Sequence, residues 1–396
     1  MTPEETTRRR TSQTGAETRG TAETLDVDLA FQTTIDYGGL GRYSVALLSE
    51  LADRCRSITV YPTHLSVPDP AGHEWWDRVP ESVELADRRG LVASYLRDAR
   101  AFRDHDVVHV NYASLGLPAL YRSLAGDTPF VYTLHHYDDP EEIAESTSLR
   151  LKYALDLGVC LPAMGRSGRL VTVSEHNRRE VRESLGLSPD VVPHGIDPAP
   201  YRRVDADGVR AEYGLAEESR LLLFVGKFHG YKDATTVVET FDRLRSEGRD
   251  VELVMLSGGG KRDEAVRRRL ADSPWRDHTR LVTEVTDRRL YRFYDAADVF
   301  TLPSRNEAFG LVFLEAMASG TPVVAVNAGA APEVVGDAGR LVPPGDTEAF
   351  VGGVRDVLDD DDMAAEMCRR GRERVERFSW RRAAEAYVEI YREVLR

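Results

Sequence analysis

Lysine is nearly absent from this chain. Of 52 basic residues among 396, only Lys152, Lys227, Lys232 and Lys261 are lysines; the other 48 are arginines. As bulk composition, the skew speaks of the genome or environment of the source, GC-rich or halophilic, and not of chemistry. Basic charge is also in deficit: 66 acidic residues leave a net charge of −14. An acidic, hydrated surface disfavours non-specific nucleic-acid binding, and no nucleic-acid partner is expected. Cysteine is scarce. Cys55, Cys160 and Cys368 are odd in number and far apart, which excludes a disulfide framework and a CxxC zinc signature. Buried free thiols in a reducing compartment are the expectation. Long apolar runs are lacking too: none reaches the ~18 residues a membrane helix needs. Met1–Glu23 has no apolar centre of the secretory kind and is expected to be a disordered tail of a cytoplasmic protein.

What remains is a soluble globular composition, 42% apolar with 31 glycines and 19 prolines. The length suits two or three domains at ~100–200 residues each. From Leu25, short apolar strands alternate with amphipathic helices, the pattern of a parallel sheet covered on both faces. Val27–Phe31, Ser57–Tyr61, Asp106–Val110, Phe130–Leu134, Arg169–Val173 and Val191–Val192 are the expected strands of a first domain, residues 25–197. Asp197–Ser219 is acidic, carries Pro198 and Pro200, and has weak periodicity; residues 198–219 form the expected linker. Alternation restarts at Leu221–Val225 and continues through Val251–Leu256, Leu281–Thr283, Val299–Leu302 and Pro322–Val326 in a second domain, residues 220–378. Residues 379–396 are an expected terminal helix. The fold class is therefore α/β, with two Rossmann-like doubly wound domains facing a cleft. In such sheets, ligands bind at the carboxyl ends of the strands.

Four strand-end segments could carry chemistry. The first is Ser304-Arg-Asn-Glu307-Ala-Phe309-Gly310-Leu311, running on to Glu315 in a helix. Were the interval all helical, the two carboxylates would stand about 12 Å apart. That exceeds the ~5–10 Å of a glycosidase pair but suits two grips on one extended ligand. Backbone N–H groups of Phe309, Gly310 and Leu311 open the helix and can face an anion. The plainer reading is an acid favouring the helix dipole plus a surface Glu. The second is Gly226-Lys227-Phe-His-Gly230-Tyr-Lys232, where two ammonium groups on a glycine-bearing loop suit a diphosphate. Two solvated lysines are the plainer alternative.

The third segment, Tyr37-Gly38-Gly39-Leu-Gly41-Arg42, fails the dinucleotide fingerprint but can form a phosphate nest. Ser257-Gly-Gly-Gly-Lys261 fails the P-loop pattern and reads as a turn. The fourth is Thr133-Leu-His135-His136-Tyr-Asp138. Adjacent side chains diverge on a strand, so one histidine facing the cleft is favoured over a metal pair. Arg178, Arg179 and Arg182 share one helix face, either solvated or facing an anionic acceptor or lipid surface.

Together these segments resemble the family 4 (group 1) retaining glycosyltransferases of GT-B fold. The resemblance covers Leu25 to Arg396 and is sharpest in Ser304 to Glu315 with its E-x7-E spacing, in Ala316-Met-Ala-Ser-Gly-Thr-Pro-Val-Val-Ala, in Gly339 to Asp346, and in Val191-Val-Pro-His-Gly195-Ile-Asp197. It implies a hexosyltransferase with a nucleotide-diphosphate sugar as donor and no cofactor or metal. Glu315 would hold the donor ribose and Glu307 the transferred sugar. Phe309, Gly310 and Leu311 would bind that sugar through the backbone. Lys227 and Lys232 would neutralise the diphosphate, Gly38 and Gly39 would cap it, and His135 would orient the sugar or acceptor. The nucleotide would sit mainly on the second domain and the acceptor on the first, with the terminal helix crossing back to the first. The acceptor would be a glycan, a lipid-linked molecule or a small molecule in polysaccharide or glycolipid biosynthesis, with peripheral contact at the inner membrane face left open.

Three departures stand out. The family often has Arg where Lys227 stands, Asp where His136 stands, and a second Gly at Ala330. The alternatives are a non-catalytic GT-B binding subunit and a GT-B epimerase or phosphorylase.

Overall fold

A computed structural model describes residues 24–35, 39–63, 65–67, 69, 76–111, 116–126, 128–137, 151, 154–202, 208–260, 262–283 and 285–396. Among these, thirteen strands form two parallel sheets. The first contains β1 Leu25–Thr33, β2 Cys55–Pro62, β3 Val83–Leu85, β4 Val107–Val110, β5 Phe130–Leu134, β6 Arg169–Thr172 and β7 Asp190–Val191. Their spatial order is β3-β2-β1-β4-β5-β6-β7. The second contains β8 Arg220–Val225, β9 Val251–Leu256, β10 Thr279–Val282, β11 Val299–Leu302, β12 Val323–Val326 and β13 Arg340–Val342, ordered β10-β9-β8-β11-β12-β13.

The strands are parallel because helices return the chain across the sheet between them. Helices on both faces bury the strands, which explains their apolar character: Leu221 to Phe224 are all buried, as are Val251 to Leu256, with Glu252 the one charged residue among them. In each sheet the strand order reverses once, between β1 and β4 and between β8 and β11. The loops leaving those four strands open the crevices where α/β sheets take ligands.

Two chain crossings join the sheets, and they touch. Ile196 N donates to Phe378 O at 3.2 Å. Gly195 lies so close to the backbone of Ser379 and Trp380 that a Cβ there would stand 2.1 Å from Trp380 N. The final helix, Trp380–Val394, then packs on the first sheet. Its buried positions Ala384, Tyr387, Val388 and Tyr391 recur at helical spacing on one face. Tyr387 hydroxyl meets Thr133 Oγ1 at 2.9 Å, and Tyr391 hydroxyl meets His109 Nδ1 at 2.6 Å. The helix thus fastens the last residues of the chain to β4 and β5. Between Asp197 and Ser219, the described residues form two short helical turns, Ala199–Arg202 and Val209–Glu212.

Cys55 and Cys160 are buried and Cys368 is partly so, and all three are free thiols. Burial pushes the Cys55 thiol up to about 12. No helix among the described residues is long and apolar enough to cross a membrane.

Candidate active site

The site forms where the reversal point of the second sheet faces the first. β8 ends on the loop carrying Lys227 and Lys232, and β11 ends on the loop carrying Glu307. Hydrogen bonding ties these loops together: Arg305 N donates to Tyr231 O at 2.8 Å, and Lys232 Nζ makes a salt bridge to Glu307 Oε1. Both side chains are largely buried, so the pair is screened little by water. The backbone beside it is strained: Asp233, at φ +46°, is the sole non-glycine residue with positive φ among the described residues.

Glu307 precedes the helix Leu311–Ser319, whose N-cap is Gly310 in the left-handed region at φ +86°. A Cβ at Gly310 would stand 2.5 Å from the Phe313 ring, so the turn needs glycine for both space and dihedral. The turn points Glu307 off the strand end and leaves Glu315 one helical turn inside. The interval is therefore part loop and part helix. Glu315 is 5% exposed. Its Oε2 accepts from the Tyr294 hydroxyl at 2.8 Å, and its Oε1 lies 3.0 Å from Arg42 Nη1.

Arg42 comes from the other sheet's side of the cleft, in the helix Gly39–Leu51 that follows β1. Its Nη2 also bonds Asp287 Oδ1 at 2.8 Å. Asp287 receives Arg78 as well, at 2.9 Å. Burial works against the Arg42 charge, but Glu315 and Asp287 outweigh it and hold the guanidinium above its ordinary pKa. Sequence reasoning gave Arg42 and Asp287 no role. Position 42 directly after the glycine loop was the available signal.

Arg42 stands between two cavities. One, of about 830 Å³, is lined by Gly39, Gly226, Lys227, Ser257, Thr283 and Leu290 among others. It joins the glycine segment of the first domain to the strand ends of the second. The other, of about 330 Å³, lies toward the chain crossings and is lined by Glu315, Tyr201, Tyr291, Ile196 and Trp380 among others. Lys227 is exposed at the first cavity.

The histidines after β5 lie on the opposite wall. His135 Nε2 is 2.9 Å from Asn111 Oδ1; a carboxamide oxygen only accepts, so Nε2 carries the proton. The His135 ring stacks on His194 at 5.5 Å and meets Tyr43 edge-on at 4.4 Å. Burial, then the His194 and His109 rings, push the His135 pKa well down, so the ring is neutral. His194, in turn, meets Phe309 at 5.1 Å. His136 points elsewhere, its ring 5.7 Å from that of Tyr231 on the lysine loop. Both histidines therefore face residues at the cleft.

Other predicted positions are more scattered. Gly38 lies outside the described residues, and Gly39 opens its helix. Arg178, Arg179 and Arg182 sit on the helix Glu175–Leu185, where Arg178 pairs with Glu175 at 3.0 Å while Arg179 and Arg182 are exposed. The same helix receives a contact that sequence reasoning missed: Glu333 accepts from Glu175 N at 2.9 Å and His176 N at 2.7 Å, linking the two halves. Among the described residues, no three His, Cys, Asp or Glu side chains cluster as metal ligands.

Two facing parallel-sheet domains, with basic and acidic side chains meeting at a reversal point, define a GT-B protein. The family model for glycosyltransferase family 4 matches residues 37–200, and that for group 1 glycosyl transferases matches residues 205–374. A D-inositol 3-phosphate glycosyltransferase of Kineococcus radiotolerans is 30% identical, over 92% of each chain. A phosphatidyl-myo-inositol mannosyltransferase of Mycolicibacterium smegmatis is 31% identical, over 74% of this chain and 72% of its own. Among solved structures, HepE of Anabaena with UDP and glucose superposes with a TM-score of 0.76 at 17% identity, over 92% of this chain and 98% of its own. The chain belongs to the group 1, family 4 glycosyltransferases. It is a glycosyl-transferring enzyme.

Proposed function

We propose that this enzyme moves a hexose from a nucleotide-diphosphate sugar to an acceptor hydroxyl, with retention at the anomeric carbon. The observation that carries this reading is the convergence of Lys227, Lys232, Glu307 and Glu315 around the strand ends of one sheet, opposite Gly39 and His135 of the other. The diphosphate lies along Lys227 and Lys232, the ribose on Glu315, and the sugar between Glu307 and the backbone N–H groups of Phe309, Gly310 and Leu311. UDP in the HepE structures supports a nucleotide-sugar donor.

The hard step is expulsion of the nucleoside diphosphate. As the C1–O bond to phosphate breaks, negative charge builds on the leaving oxygen and positive charge at C1. Fixed ammonium groups and a helix N-terminus aimed at that oxygen stabilise it without reorganising, and no step needs a resident metal. The acceptor oxygen bonds C1 on the face the phosphate leaves, and its proton passes to a phosphate oxygen. Neutral His135 holds a hydroxyl and transfers no proton in this scheme.

The acceptor is a polyol phosphate, a glycan or a lipid-linked molecule, in cytoplasmic synthesis of surface glycan or glycolipid. The names of the two relatives support an inositol-type acceptor, free or lipid-borne. An exposed apolar face on the acceptor side supports peripheral membrane contact. It is formed by Val92 and Leu96 of the helix Leu91–Ala101, Tyr121 and Leu124 of Leu117–Leu124, and Leu155 with Val159 beyond.

The test is a panel of UDP-, GDP- and ADP-sugars, read first by thermal stabilisation and then by product mass with inositol phosphate or phosphatidylinositol as acceptor. Added sugar mass is the expected result. Unchanged mass would mean epimerisation, and neither transfer nor slow hydrolysis would mean a binding subunit.

A further inference from the structure

Both carboxylate oxygens of Glu315 are engaged by side chains. Tyr294 holds Oε2 at 2.8 Å and Arg42 holds Oε1 at 3.0 Å. Tyr294 belongs to the same half of the molecule and can stay while a ligand binds. Arg42 belongs to the other half, 273 residues away in sequence. It also lines both cavities, with Lys227 on one and Glu315 on the other. A ligand spanning Lys227 and Glu315 therefore runs along Arg42, whose guanidinium already occupies Glu315 Oε1.

We infer that Arg42 is an interdomain latch that competes with the donor ribose for Glu315. It joins the two halves across the cleft and is displaced when a nucleotide enters. This rests on the proposal that Glu315 is the ribose-binding carboxylate.

The geometry suits a latch. Among the described residues, Arg42 meets two carboxylates of the second half, Glu315 and Asp287. Asp287 keeps a second partner, Arg78, when Arg42 leaves. Release therefore strands no bare charge on Asp287, and Glu315 exchanges a guanidinium for ribose hydroxyls while keeping Tyr294. The Arg42 side chain is 29% exposed, so its departure to water is not blocked by burial. A ligand favours the latched or the open state only by its differential affinity for the two, and here the difference is direct competition for one oxygen.

The test uses neutral nucleosides, uridine with guanosine in parallel, whose binding is free of phosphate electrostatics. Affinities are measured by saturation-transfer NMR on the full chain. Arg42→Met is expected to bind the favoured nucleoside at least ~5-fold more tightly than the wild type. Its ligand-free radius of gyration in small-angle scattering is expected to exceed that of the wild type. Asp287→Asn, which removes one of the two anchors, is expected to shift both readouts the same way by a smaller amount and serves if Arg42→Met fails to fold. Unchanged or weaker nucleoside binding in the folded variants would overturn the latch. Glu315→Ala separates the two levels of the argument: wild-type nucleoside affinity there would remove the ribose site itself, whatever Arg42 does.

Discussion

Lys232 and Glu307 are joined by a salt bridge across 75 residues of sequence, the one leaving β8 and the other β11. Each neutralises the other. A donor diphosphate would draw on the same ammonium, and the transferred sugar on the same carboxylate, so the ion pair holds both groups in place until the substrate arrives. Lys232→Ala is expected to lower the transfer rate by roughly 10²-fold or more, the scale of losing one fixed charge at a developing anion. It also strands the buried Glu307 and so lowers the melting temperature. Lys232→Arg restores the charge without the fit, and is expected to recover stability more than rate. Steady-state kinetics beside thermal melts check this split.

Tyr294 donates to the oxygen of Glu315 that Arg42 does not use. Tyr294→Phe keeps the buried ring and deletes one hydrogen bond. Nucleotide affinity is expected to fall by about threefold to tenfold, the worth of ~0.5–1.5 kcal/mol. Calorimetric titration with the preferred nucleotide measures it, and an unchanged affinity would show that Glu315 needs no such support.

Gly329 turns at φ +59° against the backbone of Glu307, where a Cβ would stand 2.6 Å from Glu307 N. Ala330 N also donates to Glu307 O at 2.8 Å. Gly329→Ala must push the Glu307 loop aside and is expected to reduce both stability and transfer. Gly345, at φ +76° with nothing within 4 Å of its Cβ position, is the control. Gly345→Ala carries only the dihedral strain, about 1 kcal/mol, and is expected to leave transfer intact. Melting temperature and rate, measured on both variants, separate strain from site displacement.

His194 is held neutral by burial, its pKa pushed down to about 3. A free histidine titrates near 6.5. Between those values the unfolded chain takes up a proton that the folded chain refuses, so stability is full above pH ~6.5 and declines as pH falls. The slope is about 1.4 kcal/mol per pH unit for this one group. His194→Phe fills the aromatic site between His135 and Phe309 without a titrating ring. Urea unfolding at pH 7 and pH 5 is expected to show a smaller loss in the variant, by about 2 kcal/mol across the interval, because only its part below pH ~6.5 contributes.

Much of the architecture was legible because parallel strands buried on both faces write themselves as apolar runs. Leu221–Val225 and Val251–Leu256 match β8 and β9 nearly residue for residue. What escaped was short or polar. Val83–Leu85 is a three-residue edge strand, and the helix Leu91–Ala101 turns Ser94 and Asp98 inward while Val92 and Leu96 face outward, so its apolar positions do not mark a core face. The strand expected at Leu281–Thr283 lies at Thr279–Val282, shifted because all four of its residues are only half-buried. At the site, residue types at strand ends could be read, but pairings could not. Nothing local links Arg42 to Glu315, or Glu333 to the helix at Glu175; both contacts exist only once two sheets face each other. The scarcity of lysine proved informative in the same way. Two of the four lysines fall on the loop whose Lys232 pairs with Glu307.

In the proposed donor site, one nucleotide sugar spans Glu315 and the lysine loop. Calorimetric titration of the wild type, Glu315→Ala and Lys232→Ala with the donor that stabilises the wild type most tests it directly. Saturable binding by the wild type and its loss in both variants, each still folded by circular dichroism, is the expected result. Full-strength binding by both variants would contradict it.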